Sequence, residues 1–123
     1  MGIDRAIHEA GNLRTARRHD EAHLKFIRGL PCLKCLDSTS TEAAHLRRSD
    51  ARIGFKNPGV GAKPDDRFVT PLCSRCHRLQ HKMGENHFWH GCDPLLVALA
   101  LYTVSGDHEA GEEIIQTAFR FSK

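Results

Sequence analysis

The apolar positions of the chain fall into short segments separated by polar and glycine-rich stretches. Across residues 20–28 they recur at helical spacing, with acidic residues first and a basic residue last, as a helix dipole favours. Residues 94–105 are apolar on nearly all sides, and Asp93 followed by Pro94 is typical of a helix start. We therefore expect a buried helix there. An amphipathic pattern over residues 107–121 predicts a final helix.

The middle of the chain has the pattern of two short strands followed by a helix. The strands are expected around residues 42–46 and at residues 67–70. Residues 49–66 between them are rich in glycine and proline, and a loop of that length in a compact domain is usually functional or mobile. A turn after the second strand leads into a helix that Gly84 ends.

Length and composition indicate one small domain. A chain of 123 residues with 40% hydrophobic residues can bury only a thin core, and such scaffolds usually need a metal, disulfides or a partner. We expect a basic, loosely structured arm at residues 1–19, a zinc-bound domain at residues 20–91 and a helical extension at residues 92–123. No apolar run has the length of a membrane span or a signal peptide, so we expect a cytoplasmic protein without a membrane partner.

The cysteines carry the strongest chemical signal. Cys32-x2-Cys35 and Cys73-x2-Cys76 are separated by 37 residues. Cytoplasmic cysteines stay reduced, so paired cysteines favour a metal over disulfides. Two C-x2-C turns supply the four soft ligands of a structural Zn²⁺ site. Cys92 fits no pair and is expected to be an ordinary half-buried cysteine.

Three histidines accompany the cysteine turns. His77 and His81 lie at i and i+4 on the predicted helix, so they share one face and can ligate one ion together. His45 lies on the first predicted strand. The order of turn, strand, loop, strand, turn and helix predicts an α+β fold. Its core would be a small ββα unit closed by the cysteine-bound zinc, with flanking helices and a C-terminal helical hairpin.

These motifs resemble a known family. The pattern "C-x2-C … EAAHLR … PLC-x2-CH-x3-H" is similar to the HNH, or ββα-metal, endonucleases. The match is closer to small phage and prophage proteins with "AAH-[hydrophobic]-R … G-x-G-x-K-P-D-D … PLC-x2-CH". Phage recombination-enhancement nucleases have a related pattern. Here the loop reads "GVGAKPDDRFVTPLCSRCH", and the resemblance covers about residues 24–106.

The resemblance implies hydrolysis of phosphodiester bonds in DNA. His45 would be the general base, and His77 and His81 would hold a catalytic divalent ion (Mg²⁺, Mn²⁺, Ni²⁺ or Zn²⁺). Asp66, with Asp65 as second choice, would ligate that ion or orient His45. The expected nucleic-acid contacts are Arg47, Arg48, Lys56 and Lys63.

The chain departs from the family pattern in two places. Many HNH enzymes have Asp or His directly before the base histidine, where this chain has Ala44, and the middle Asn is absent unless Asp66 replaces it. Both departures leave the ligand set of the catalytic ion open. A homodimer or two successive nicks would be needed for a double-strand break, and a recombination protein is a further candidate partner.

Other interpretations stay open. His45 can be an ordinary strand histidine, and His77 can orient a zinc ligand. The chain can also be a non-catalytic zinc module that binds nucleic acid or protein, or a structural protein with the helix at residues 94–105 as its interface. The net charge of +3 permits nucleic acid as a partner without showing it. Phe88 and Trp89 are expected to pack the C-terminal helices onto the core.

Overall fold

The computed structural model describes residues 19–47 and 65–121. All but the last residue of the predicted arm at residues 1–19 and most of the predicted loop at residues 49–66 lie outside this part of the chain. Within it, five helices and one two-stranded antiparallel sheet confirm the α+β class. In chain order the elements are α1 (Glu21–Arg28), β1 (Thr41–His45), β2 (Val69–Cys73), α2 (Ser74–Met83), α3 (Glu85–Phe88), α4 (Pro94–Thr103) and α5 (His108–Phe121).

Helix α1 forms where its charge and apolar patterns predict it. The Asp20 side chain caps the helix by accepting a hydrogen bond from the backbone N–H of His23 at 3.0 Å. Leu24, Phe26 and Ile27 are buried, while Lys25 is exposed. The helix therefore presents one apolar face to the sheet and the C-terminal helices.

The two strands form a hairpin that ends at a cysteine. Thr41 pairs with Cys73 at one end and His45 with Val69 at the other. The second strand starts and ends later than the predicted residues 67–70, and it continues through Pro71, which pairs with Ala43. Proline is tolerated in a two-stranded sheet, where one side of each strand needs no partner. All five residues of β2 are buried.

Most of the buried side chains form one core. It joins α1, the hairpin, the cysteine turns and the C-terminal helices, through Leu101 and Ile115 among others. Phe88 and Trp89 are buried in it with their rings edge to face at 4.8 Å, which confirms their predicted packing role. Lys34, between the first two cysteines, donates a hydrogen bond to the Phe88 carbonyl at 3.0 Å.

Helix α4 forms a second apolar cluster with two residues that flank the hairpin. Leu95, Ala98 and Leu99 are almost completely buried, and they pack with Leu46 and Phe68. Leu96 on the opposite side of the helix is 42% exposed, so the predicted burial of this helix holds for all but one side. Among the described helices, each is too short or too polar to span a bilayer.

Candidate metal centre and histidine sites

The first cysteine turn is closed by its own backbone. The N–H of Leu36 donates to the carbonyl of Cys32 at 2.8 Å, and the N–H of Cys32 donates to the carbonyl of Asp37 at 2.9 Å. Leu36 has a φ of 65°, a left-handed conformation that is uncommon for a residue with a side chain. This tight turn directs Cys32 and Cys35 toward the end of the hairpin.

The second cysteine turn joins strand β2 to helix α2. Cys73 is the last strand residue and also the N-cap of α2, where its sulfur accepts a hydrogen bond from the N–H of Cys76 at 3.5 Å. The helix start thus places both thiols beside the first turn. The ligand atoms of Cys32, Cys35, Cys73 and Cys76 all lie within 4.8 Å of one another.

The four sulfurs are positioned to hold a metal ion. In a tetrahedral Zn²⁺ site with bonds near 2.3 Å, neighbouring sulfurs lie about 3.8 Å apart. The Sγ atoms of Cys35 and Cys73 lie 3.7 Å apart, which fits that edge. Cys92 lies outside the group and is half-buried, as expected.

The electrostatics of the cluster also favour a cation. Burial raises the pKa of the Cys32 and Cys76 thiols. Burial acts the same way on Cys73, but hydrogen bonds from Cys76 and the neighbouring thiols outweigh it and lower the pKa of Cys73. Four thiolates this close repel one another, so a bound cation is what allows all four to ionise.

Asp66 is the centre of a second group of polar side chains. Its carboxylate is 1% exposed, and its Oδ1 lies 2.8 Å from Nε2 of His45. Its Oδ2 accepts from the Asp20 backbone N–H at 2.8 Å and lies 2.9 Å from Nδ1 of His19. Burial opposes ionisation of Asp66, yet these hydrogen bonds and the two imidazoles lower its pKa. An ionised carboxylate only accepts hydrogen bonds, so both rings donate to it.

A third histidine, His23, is buried near this carboxylate. Its Nδ1 lies 2.7 Å from the Ser105 hydroxyl oxygen, while its buried Nε2 has no hydrogen-bond partner among the residues that the structure describes. Burial lowers the pKa of His23 to about 4, although the charges of Asp20 and Asp66 act in the opposite direction. His23 is therefore neutral at pH 7, and its ring packs edge-on against Tyr102 at 5.1 Å.

His77 and His81 lie together on helix α2, as their spacing predicts. Their ring centroids are 4.9 Å apart. Nδ1 of His77 lies 2.7 Å from Oε1 of Glu42 on strand β1. His77 is partly exposed and His81 is exposed. This pair is open to solvent and has a carboxylate beside it.

The structure does not bring Asp66 together with His77 and His81. Among the residues it describes, the four cysteines form the only group of three or more His, Cys, Asp or Glu side chains close enough to share an ion. The side chain of His45 is hydrogen-bonded to Asp66, and that of His77 is hydrogen-bonded to Glu42. The three-ligand set of Asp66, His77 and His81 stays a prediction.

The other expected site residues have separate positions. The backbone N–H of Arg47 donates to Oε2 of Glu85 at 2.8 Å, and Arg47 is half-buried. Asp65 forms a two-point ion pair with Arg67, with both N···O distances at 3.0 Å, and it accepts the Arg67 backbone N–H as well. Arg48, Lys56 and Lys63 lie outside the described residues.

Sequence reasoning missed two residues, His19 and Glu42. His19 directly precedes the N-cap of α1, and nothing in its spacing connects it to Asp66, which lies 47 positions further along the chain. Glu42 carries a weak signal, because it shares a strand face with position 44, where HNH proteins often have a ligand.

Comparisons with known proteins place the chain in a family. A family model described as "Protein of unknown function (DUF968)" matches residues 13–101, which is 89 of the 123 residues, so the chain belongs to that family. Neither the search of curated proteins nor the search of solved structures found a match.

Proposed function

We propose that this DUF968 member is a metal-dependent endonuclease of the HNH type that hydrolyses phosphodiester bonds in DNA, with a structural Zn²⁺ on its four cysteines. One observation carries the proposal. The imidazole of His45 is 25% exposed and is anchored to the buried carboxylate of Asp66 at 2.8 Å. A solvent-accessible histidine oriented by a buried carboxylate has the arrangement of a general base.

The hydrogen bond to Asp66 determines which nitrogen of His45 acts. Nε2–H donates to Oδ1 of Asp66, so Nδ1 keeps its lone pair. Among the described residues, Nδ1 of His45 has no hydrogen-bond partner. It can take a proton from a water molecule, whose oxygen then attacks phosphorus as the bond to the leaving 3′-oxygen breaks.

The paired histidines on α2 fit the second requirement of the reaction. Two imidazoles beside a carboxylate suit a transition metal ion or Zn²⁺ better than Mg²⁺, which prefers oxygen ligands. When bound, such an ion supplies positive charge that stabilises the charge developing on the phosphate and the leaving oxygen. The residues that would hold it are His77 and His81.

The cysteine cluster gives the site its rigidity. Cys73 is the last residue of strand β2 and the N-cap of the helix that carries His77 and His81. Zinc on the cysteines would therefore fix that helix against the hairpin. Asp66, the partner of His45, lies three residues before β2. The structural ion would thereby fix the position of His45 and Asp66 relative to His77 and His81.

The testing experiment is the substitution His45→Ala, with His90→Ala as the matched control because His90 is exposed and belongs to neither histidine group. Duplex, single-stranded and branched DNA are each assayed for binding and for cleavage. We expect His45→Ala to lose cleavage by roughly 100-fold or more and to keep DNA binding and zinc content. His90→Ala should match the wild type. Equal cleavage by all three proteins would reject His45 as the base.

The competing function is a non-catalytic zinc module that binds nucleic acid or protein. It is favoured by the cysteine cluster, which is complete without any histidine. In that case His45→Ala should change neither binding nor stability by a measurable amount, and no DNA substrate should be cleaved.

A further inference from the structure

We propose that Glu42 is the third protein ligand of the divalent ion held by His77 and His81. The inference rests on the proposed function, since that ion is the catalytic one there. Oε1 of Glu42 lies 2.7 Å from Nδ1 of His77. An ion would replace the proton that these two atoms share, and the resulting set of two imidazoles and one carboxylate selects first-row transition metals and Zn²⁺.

Strand geometry explains why a carboxylate at position 42 can serve as a ligand of the ion. Side chains alternate along a strand, so Glu42 and Ala44 project from the same face of β1. Ala44 occupies the position where the resembled enzymes often have a metal ligand, and its methyl group cannot bind an ion. Glu42 is two residues away and has a longer side chain, which already reaches helix α2.

The distances suit shared coordination. With bonds near 2.1 Å, neighbouring ligand atoms of an octahedral ion lie about 3.0 Å apart. The 2.7 Å between Glu42 and His77 is close to that separation. The ligand atoms of Glu42, His77 and His81 do not all lie within 4.8 Å of one another, so the ring of His81 must turn toward the other two to share an ion. His81 is exposed and Glu42 is 49% exposed, so both side chains have the space to adjust.

Asp66 is a poorer choice of third ligand because its oxygens are engaged. Oδ1 accepts a hydrogen bond from His45. Oδ2 accepts a hydrogen bond from the Asp20 backbone N–H and forms an ion pair with His19. Its carboxylate is also 1% exposed. Asp66 would have to abandon these partners to reach α2. We therefore assign Asp66 to the orientation of His45 and Glu42 to the ion.

The experiment is a Ni²⁺ titration by calorimetry on protein that keeps its structural zinc. The signal of this site is the part that His77→Ala removes. Glu42→Gln is the main variant, because glutamine still accepts a hydrogen bond from His77 but lacks the charge and basicity of a ligand carboxylate. Asp66→Asn and Glu112→Gln, an exposed residue of α5, are the comparisons.

We expect Glu42→Gln to weaken Ni²⁺ binding by roughly 10- to 100-fold, while Asp66→Asn and Glu112→Gln stay within about twofold of wild type. Wild-type affinity in Glu42→Gln would overturn the inference, as would a loss of affinity in Asp66→Asn or the absence of any His77-dependent ion. Zinc content and circular dichroism verify folding, and Glu42→Ala gives a second test of the same position. Cleavage is assayed separately, so Ni²⁺ binding without nicking would reject the nuclease and keep the ligand assignment.

Discussion

At the scale of single residues, the buried carboxylate of Asp66 explains the position of His45. It connects its own segment to two parts of the chain that are distant in sequence, one at His19 and Asp20 and the other at His45. The "KPDD" motif singled out Asp66 as a candidate site residue. Its partner His19 could not be predicted, because that contact depends on how α1 packs beside the hairpin. The cysteine turns needed no such long-range information, since each pair is set by a local turn.

The substitution Asp66→Asn tests this orienting role. An amide oxygen can keep one hydrogen bond, but the negative charge that two imidazoles share is lost. We expect DNA nicking to fall by roughly 10- to 100-fold, with DNA affinity changed by less than about twofold. Initial rates on supercoiled plasmid measure the effect. Unchanged nicking would show that His45 needs no carboxylate.

His23 should make stability depend on pH. Its pKa in the folded protein is about 4, below the ordinary value of 6.5, because burial disfavours the charged ring. The unfolded chain therefore binds more protons between these values, so the stabilising contribution is complete above pH 6.5 and is lost as the pH falls toward 4. The loss is about 3 kcal/mol at most.

Urea unfolding at pH 7.5 and pH 5 measures this contribution. Loss of zinc at low pH would also destabilise the protein, so wild type is compared with His23→Gln, which cannot be protonated. We expect the wild type to lose more free energy of unfolding than the variant between the two pH values. An identical loss in both proteins would assign the whole effect to other groups.

At the scale of elements, the close approach of α5 to α1 fixes the C-terminal helix. A Cβ atom added at Gly111 would lie 2.7 Å from the Phe26 ring and 3.1 Å from a methyl group of Leu30. Both of these side chains are buried. The amphipathic pattern predicted that α5 exists, but it could not show that position 111 touches α1. That contact depends on the packing of two helices that lie far apart in the chain, Glu21–Arg28 and His108–Phe121.

Gly111→Ala should therefore destabilise the protein. Alanine is the better helix former by about 1 kcal/mol, but overpacking against buried side chains costs about 1–3 kcal/mol. We expect a net loss of about 1 kcal/mol, measured by urea unfolding. Gln116→Ala on the exposed side of α5 is the control and should stay within about 0.5 kcal/mol of wild type. A more stable Gly111→Ala would mean that the helices separate easily.

At the scale of the whole molecule, the four cysteines connect the beginning of the domain to the end of the hairpin. Their spacing predicted the cluster, and the structure brings all four thiols together. The α+β class also followed from the pattern of apolar segments. The exact strand bounds did not, because the pairing of Thr41 with Cys73 and of His45 with Val69 sets them, and that pairing joins distant parts of the chain.

We expect that loss of a metal ion from the four cysteines unfolds much of this small domain. Structural zinc contributes roughly 10–16 kcal/mol in zinc-finger peptides, and a domain of this size has a net stability of about 5–15 kcal/mol. We expect Cys35→Ser to lose zinc and to lower the melting temperature by more than about 10 °C. Cys92→Ser, outside the cluster, should keep both. A Cys35→Ser protein that melts with the wild type would show that the core is stable without the ion.

The measurement that tests the nuclease proposal most directly is cleavage of supercoiled plasmid by the wild-type protein. The protein is stripped of loosely bound ions, its structural zinc is verified, and Mg²⁺, Mn²⁺, Ni²⁺ or Zn²⁺ is added back. The account predicts nicking that requires an added ion and is strongest with a transition metal. A folded, zinc-loaded protein that nicks no plasmid with any of the four ions would contradict it.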